Sequence, residues 1–468
     1  MKRILLIALP AILITTSCRK IEVDGDTIVN NAGGSETTEN VILEGRITAN
    51  KTLKAAYTYK LRGLVYVTNG AILTIEPGTK IVGEAGKNGG LIITRSSKII
   101  ADGTAEKPIV FTSENSTPTR GDWAGLVILG NAPTNSTFNG VAGIGEIEGG
   151  INNSDGLGLY GTPATQAQNP ADNSGILRYV RIEYAGYAFL PDKEINGLTL
   201  GGVGNQTLID YVQVSYANDD SFEWFGGTVN CKHLIAYKGL DDDWDLDNGF
   251  SGKVQFGISL RDSSVADISG SNGFEVDNDA NGSTATPQTS AVFSNMTVIG
   301  PRETAVNIGN SNFKRGAHLR RNSSISIFNS IVMGWPTGLL VDASTGRPTD
   351  LNIASNAMVL ANNIVAANNT RFAYTASNSA PTGWATADLT TYFSQSTSGN
   401  DVLNTVTDVK LAAPFKYDNS VDFNPITGSP ALTGAAFTHP KLTSFFNAVT
   451  YRGACNSTDA WWKSWTKF

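Results

Sequence analysis

The run Arg178-Tyr-Val-Arg-Ile-Glu-Tyr-Ala-Gly186 returns 32 residues later as Asp210-Tyr-Val-Gln-Val-Ser-Tyr-Ala-Asn218, with Val180, Ile182 and Tyr184 matched by Val212, Val214 and Tyr216. An offset of 22 then carries Val212 to Leu234 and on to Phe256, and Val214 to Ala236 and Ile258. A unit of about 22 residues is one coil of a three-sided parallel β-helix, and a longer offset marks a coil with an inserted loop. Val292-Phe-Ser-Asn-Met-Thr-Val298 and Ile325-Ser-Ile-Phe-Asn-Ser-Ile-Val332 extend the series. From Leu61 onward the chain is a succession of short alternating runs, such as Leu64-Val-Tyr-Val67 and Ile109-Val-Phe111, separated by Gly, Asn and Asp turns and almost free of helical periodicity. Strands so short suit a sandwich or a solenoid. The internal repeat selects the solenoid: an all-β, right-handed parallel β-helix with terminal caps, since an open stack would expose unpaired strand edges.

The N-terminus sets the compartment. Lys2 and Arg3, an apolar run from Ile4 to Ile14 and then Thr15-Thr-Ser-Cys18 describe a signal peptide over residues 1–17. The segment resembles a bacterial lipobox, which implies lipidation of Cys18 and a membrane anchor there. Arg19, standing where aspartate is associated with inner-membrane retention, points to an outer-membrane lipoprotein, periplasmic or surface-exposed. Residues 18–40, rich in Gly, Asn, Thr and acids, read as a flexible tether, which leaves 41–468 as the β-helix domain with an aromatic cap over 456–468. No later apolar run is long enough to cross a bilayer. Loss of Lys2 and Arg3 with the leader takes the formal net charge from −7 to −9, and no basic patch suggests nucleic acid. Cys231 and Cys455 remain, either as a disulfide in an oxidising compartment or as buried thiols.

Several segments have a familiar wording. Ala71-Ile-Leu-Thr-Ile-Glu-Pro-Gly-Thr-Lys-Ile-Val82, Gly121-Asp-Trp-Ala-Gly-Leu126, Glu194-Ile-Asn-Gly-Leu-Thr-Leu-Gly-Gly-Val203 and Phe222-Glu-Trp-Phe-Gly-Gly-Thr-Val229 resemble a family of bacterial β-helix lipoproteins, common in Bacteroidetes and similar to pectate-lyase-like proteins. The resemblance runs along nearly the whole mature chain and brings no established catalytic residues with it. Gly428-Ser-Pro-Ala-Leu432 resembles the closing element of many right-handed β-helices. In the last ten residues Trp461, Trp465 and Phe468 fall on one helical face, as an aromatic plug for the end of the stack or, alternatively, as a sugar platform.

Between Asn218 and Gly249 lie eight carboxylates, Asp219, Asp220, Glu223, Asp241, Asp242, Asp243, Asp245 and Asp247, against Lys232 and Lys238 alone. The offset of 22 superposes Asp219 on Asp241 and Asp220 on Asp242, and places Asp262 close by in the next coil. Adjacent coils are about 4.8 Å apart, so such a ladder of like charges requires a counter-ion. Calcium is the expected cofactor, since it takes six to eight oxygens in flexible geometry. Asp243-Trp-Asp245-Leu-Asp247 offers further ligands, and Asp277-Asn-Asp279-Ala-Asn281-Gly282 follows the first half of a calcium-loop pattern, with Gln288 where the closing Glu would stand. A solvated acidic turn is the plainer alternative.

Three functions compete on this sequence. The first is non-catalytic binding of a glycan polymer or an envelope partner, with Phe222, Trp224, Phe225 and Trp244 stacking on sugar faces; such aromatics equally often fill a β-helix core. The second follows from the resemblance to pectate-lyase-like proteins, which use calcium with an Arg or Lys base, or clustered aspartates. It makes Asp219, Asp220, Asp241 and Asp242 acid–base candidates, with Lys253 or Arg261 as the base of a polysaccharide lyase. Asn218-Asp219-Asp220 resembles the paired-Asp element of the glycoside hydrolases, but their Gly-His-Gly and Arg-x-Lys elements are missing, and His233, one of three histidines, sits in a strand-like run. The third is an accessory role in an outer-membrane uptake complex. The binding role is the leading expectation. Gly201-Gly-Val-Gly204 opens no helix, which argues against a nucleotide site.

Overall fold

The computed structural model describes residues 21–23, 26–29, 39–188, 195–304 and 309–468. The chain winds into a right-handed parallel β-helix whose coils each contribute strands to three parallel stacks. In one coil the strand Leu208–Ser215 bends at Tyr211, so that 208–210 joins a first sheet and 212–215 a second, and Phe222–Phe225 joins a third. The next coil repeats this with Asn230–Tyr237 and Trp244–Asp247, in the register Val212↔Leu234 and Phe222↔Trp244. The offsets of 32 and 22 are therefore real coil lengths.

The expected series slips once. Leu234 pairs with Gly257 rather than Phe256, and Ala236 with Ser259 rather than Ile258, because that coil is one residue longer. In a strand a shift of one residue exchanges the two faces, so Phe256 falls in the column of Tyr211 and His233, at the bend. The residues at this bend, Tyr179, Tyr211, His233 and Phe256, all have φ between 49° and 64°. Left-handed backbone is costly for such side chains. Ring stacking along the column offsets it, with 4.4 Å between Tyr179 and Tyr211 and 4.2 Å between Tyr211 and His233. Further along, Asn295, Asn329 and Asn362 take over the position, the residue type that tolerates this conformation best after glycine.

Inward side chains form one continuous core from Val41 to Phe393. Phe222, Trp224 and Trp244 belong to it, fully buried and stacked on one another, with 5.0 Å between the Phe222 and Trp244 rings. The C-terminal end of the stack is closed by a helix, Thr386–Ser394, whose Leu389 and Phe393 enter the core beneath Phe372.

The segments expected to plug that end lie elsewhere. Ala431, Trp462 and Trp465 are buried against the outer surface of the second sheet, among Ile235, Ile258, Leu260 and Ile299, and the last residues form turns rather than a helix. Outward amides clamp this strap by its backbone: Gln213 exchanges two hydrogen bonds with Lys467, Gln255 two with Asn447, and Asn329 two with Ala436. The strap packs sideways because the second sheet turns apolar outward from Ile235 onward, and this surface must be covered.

Cys231 lies in the inner core and Cys455 on the strap itself, buried in the cluster between strap and sheet, both as free thiols. The segment expected as a signal peptide, and Cys18, lie outside the described residues. Within the segment expected as a tether, Ile21–Val23 and Asp26–Val29 are strands, the second pairing with Glu39–Ile47.

Candidate metal centre

The acidic turns join the second sheet to the third, and the strands that follow them carry alternating outward acids. Strand alternation turns Phe222, Trp224, Trp244 and Leu246 into the core and Glu223 and Asp245 away from it. Register then aligns Thr199, Glu223, Asp245, Glu275 and His318 in one outward file across five rungs. Beside this file the backbone amide of Asp242 donates to Asp220 Oδ1 at 2.8 Å, so the two turns stack as the offset of 22 implied.

Together these groups line a cleft of 340 Å³ holding nine carboxylates, Glu148, Asp219, Asp220, Glu223, Asp241, Asp242, Asp245, Asp267 and Glu275, and no lysine or arginine. Ligand oxygens fall within 4.8 Å of one another in three groups: Asp219, Asp220 and Asp241; Asp220, Glu223 and Asp245; Asp242, Asp245 and Glu275. Asp220 and Asp245 are shared between groups.

Burial pushes the carboxyls of Asp220, Glu223, Asp242 and Asp245 well above their ordinary range, and neighbouring carboxylates push them further. Asp241 rises to about 6 through burial and the charge of Asp267. Glu275 moves the other way. Its burial is outweighed by the imidazole of His318, 3.5 Å away, and the charge of Arg320, so it is held below the usual range.

The donor set fits a hard cation. It is all oxygen, without the thiolates or imidazoles that favour zinc or copper. For calcium–oxygen distances of about 2.3–2.6 Å, opposite ligands of one ion are about 4.6–5.2 Å apart, so oxygens within 4.8 Å of one another are close enough to share an ion.

Five expected ligands stand outside these groups, four of them with carboxylate oxygens engaged elsewhere and the fifth, Asn281, exposed. Asp243 points inward and is wholly buried with Arg261, 2.8 Å from Oδ1 to Nη1. Asp247 accepts from the amide of Asn248 at 2.6 Å, and burial, with Asp277 nearby, pushes its carboxyl up to about 7. Asp277 is gripped by Arg320 at 2.7 and 3.0 Å and by Arg321 at 2.6 Å. Asp279 caps its own turn through the amides of Asn281 and Ser283, and Asn281 itself is exposed. In this loop the side-chain amide of Asn278 donates to the carbonyls of Ser283 and Ala285, at 3.0 and 3.1 Å. Asp262 accepts from Ser264 and is not part of the cleft lining.

The expected bases and sugar platform are also corrected. Arg261 is buried and ion-paired, and Lys253 lies on the strand Lys253–Leu260, whose partners belong to the first and second sheets. Phe222, Trp224 and Trp244 are core residues, and Phe225, 8% exposed, packs outward against Tyr160 of the 130–174 insertion. None of the four presents a free ring face.

The sequence reading missed Glu148, Asp267, Glu275 and the basic rung beyond them. Phe222-Glu-Trp-Phe, Trp244-Asp-Leu-Asp and Phe274-Glu-Val-Asp are one repeated motif, hidden because the third copy follows at 30 residues rather than 22. The fourth copy, Ala317-His-Leu-Arg320, changes sign: His318 lies 3.5 Å from Glu275 and 3.3 Å from Asp342, and Arg320 pairs with Glu275 and Asp277.

Fold and site define a parallel β-helix with an acid-lined cleft on one outer face. The chain belongs to the pectate-lyase-like β-helix domain family, whose family model matches residues 45–411. No curated protein matches the chain.

Proposed function

We propose that the protein is a cell-envelope lipoprotein, anchored at the outer membrane through Cys18, that holds calcium in the acidic cleft and uses it to bind a glycan polymer without cleaving it. One observation carries the reading: nine carboxylates share a partly buried cleft that has no basic residue in its lining. Ionised together at neutral pH they repel, and a divalent cation relieves this while leaving coordination positions for sugar oxygens. Family membership supports a carbohydrate ligand, as an analogy of fold. The test pairs calorimetric titration of calcium with a glycan array run with and without chelator. Calcium binding together with chelator-sensitive glycan retention is the expected result. A chain that binds no calcium refutes the reading.

A second reading, polysaccharide lyase, is favoured by one residue. Arg315 stands at the next rung past Asn272 and faces Glu275, Asp342 and Asp242 without a close ion pair among the described residues, which leaves its guanidinium available beside the acidic face. On this reading Arg315 takes the role that Lys253 and Arg261 cannot. Release of unsaturated product from an acidic polysaccharide in the presence of calcium, abolished by Arg315→Lys, would establish it. The binding reading stands if a panel of such polymers is retained and left intact.

A further inference from the structure

Arg261 lies beneath the floor of the cleft, fully buried, and its contacts are unusually directed. Nη1 donates to Asp243 Oδ1 at 2.8 Å and Nη2 to the carbonyl of Leu240 at 2.9 Å. These two acceptors are the first and last residues of the turn Leu240–Asp243. The two residues between them are Asp241 and Asp242, both ligand candidates in the cleft.

The Leu240 carbonyl is also the anchor of the opposite rim. Ser271 Oγ donates to it at 2.8 Å and the amide of Asp267 at 3.2 Å, while Ser269 Oγ, between them, donates to Asp241 Oδ2 at 3.0 Å. One guanidinium therefore fixes the turn that carries two carboxylates and, through a shared carbonyl, the loop that carries a third, Asp267. Phe313 closes the far side, its ring centre 5.2 Å from the guanidinium carbon.

Stability alone is a poor reason for such a pair. Removing two charges from water costs several kcal/mol per ion, and apolar residues of similar volume often serve as well or better. What an apolar pair cannot do is hold both ends of a turn whose exposed residues repel one another. We infer that Arg261 is a positioning residue for the cation site, a buried strut that keeps Asp241 and Asp242 converged on the cleft when like-charge repulsion would spread them. The inference rests on the reading of the cleft as a calcium site.

The experiment is calcium titration by calorimetry, with thermal melting in chelator, on the full mature chain and two variants. The double variant R261M/D243L replaces the pair by apolar side chains. It is expected to melt cooperatively, within a few degrees of the parent, and to bind calcium at least tenfold more weakly. Arg261→Lys keeps the charge but replaces the two nitrogens that serve Asp243 and Leu240 by one, so the two contacts cannot both keep their present geometry, and it is expected to lose affinity by a smaller factor with the fold intact. Should the double variant fail to fold, the lysine variant alone decides. Affinity within twofold of the parent in the folded variants overturns the strut while leaving the calcium reading in place. A parent chain that binds no calcium overturns both.

Discussion

Two outer faces of the same solenoid are built on the same alternation and end in opposite states. On the second sheet the outward columns run through Ile235, Ile258, Thr297 and Ile331, and through Tyr237, Leu260, Ile299 and Met333, and the chain's own C-terminal strap covers them. On the third sheet the outward file runs through Glu223, Asp245 and Glu275, and an open cleft stands above it. The geometry of a rung is the same on both faces, so the side chain alone decides what must cover it. An apolar column is satisfied by the protein. A column of carboxylates is satisfied by opposite charge or by protons; Arg320 supplies the charge at Glu275, and the lining of the cleft itself contains no lysine or arginine.

The contrast breaks most sharply if charge is placed on the covered face. Ile258→Asp puts one unpaired carboxylate under the strap, and is expected to lower unfolding stability by about 4 kcal/mol or more, near the limit for a single substitution. Denaturant unfolding measures this. A loss below about 1 kcal/mol would mean that the strap is loosely held and the two faces are less different than their packing indicates.

Removing charge from the open face should act in the opposite direction. Asp220→Asn and Asp242→Asn each take a buried, repelling carboxylate out of the cleft. In chelator each variant is expected to be more stable than the parent by about 1–3 kcal/mol, and to gain less from added calcium. Destabilisation of both variants in chelator would show that these carboxylates are held by hydrogen bonds more strongly than they repel.

The same imbalance fixes the sign of a pH dependence. A carboxyl raised in the folded state binds its proton more tightly there than in the unfolded chain, so stability falls as pH rises. The contribution is fully present below the unfolded value near 3.8, and is lost as pH passes the folded values of about 6 for Asp241 and about 7 for Asp247. Without calcium, melting between about pH 5 and 8 should decline, and Asp241→Asn should flatten the decline. If the cleft holds calcium, the ion competes with the proton of Asp241, so its stabilising effect should grow as pH passes about 6.

Much of the architecture was legible because a solenoid writes its coil length into the sequence. Tyr184 and Tyr216, Phe222 and Trp244, and Asp220 and Asp242 all stand where the offsets of 32 and 22 put them. The sequence could not fix which face a residue takes once a coil changes length. One extra residue moved Phe256 out of register with Leu234, and a longer coil hid Glu275 behind Asp245. Nor does an acid announce its partner. Asp243 and Asp245 are two residues apart on a local pattern that suggested shared ligands, yet one meets Arg261 inside and the other faces the cleft. The strap was misplaced for a related reason: its aromatics show that a surface needs covering, but only the outward columns of distant strands show which surface.

The smallest expected effect concerns Lys253, which the sequence offered as a base. Its strand pairs with 230–237 and 292–299, in the first and second sheets, and its amide, rather than its ammonium, makes the defined contact, to Asn230 Oδ1 at 3.0 Å. A partly exposed lysine with that environment is worth little to the fold, and Lys253→Ala is expected to change stability by no more than about 0.5 kcal/mol. Calcium affinity should be unchanged, because no residue on that strand lines the cleft. Calorimetry and melting on this one variant therefore test the separation of the faces. A clear loss of calcium affinity would mean that charge on the first sheet is felt in the cleft through the core, and that the acidic face is not satisfied on its own side of the solenoid.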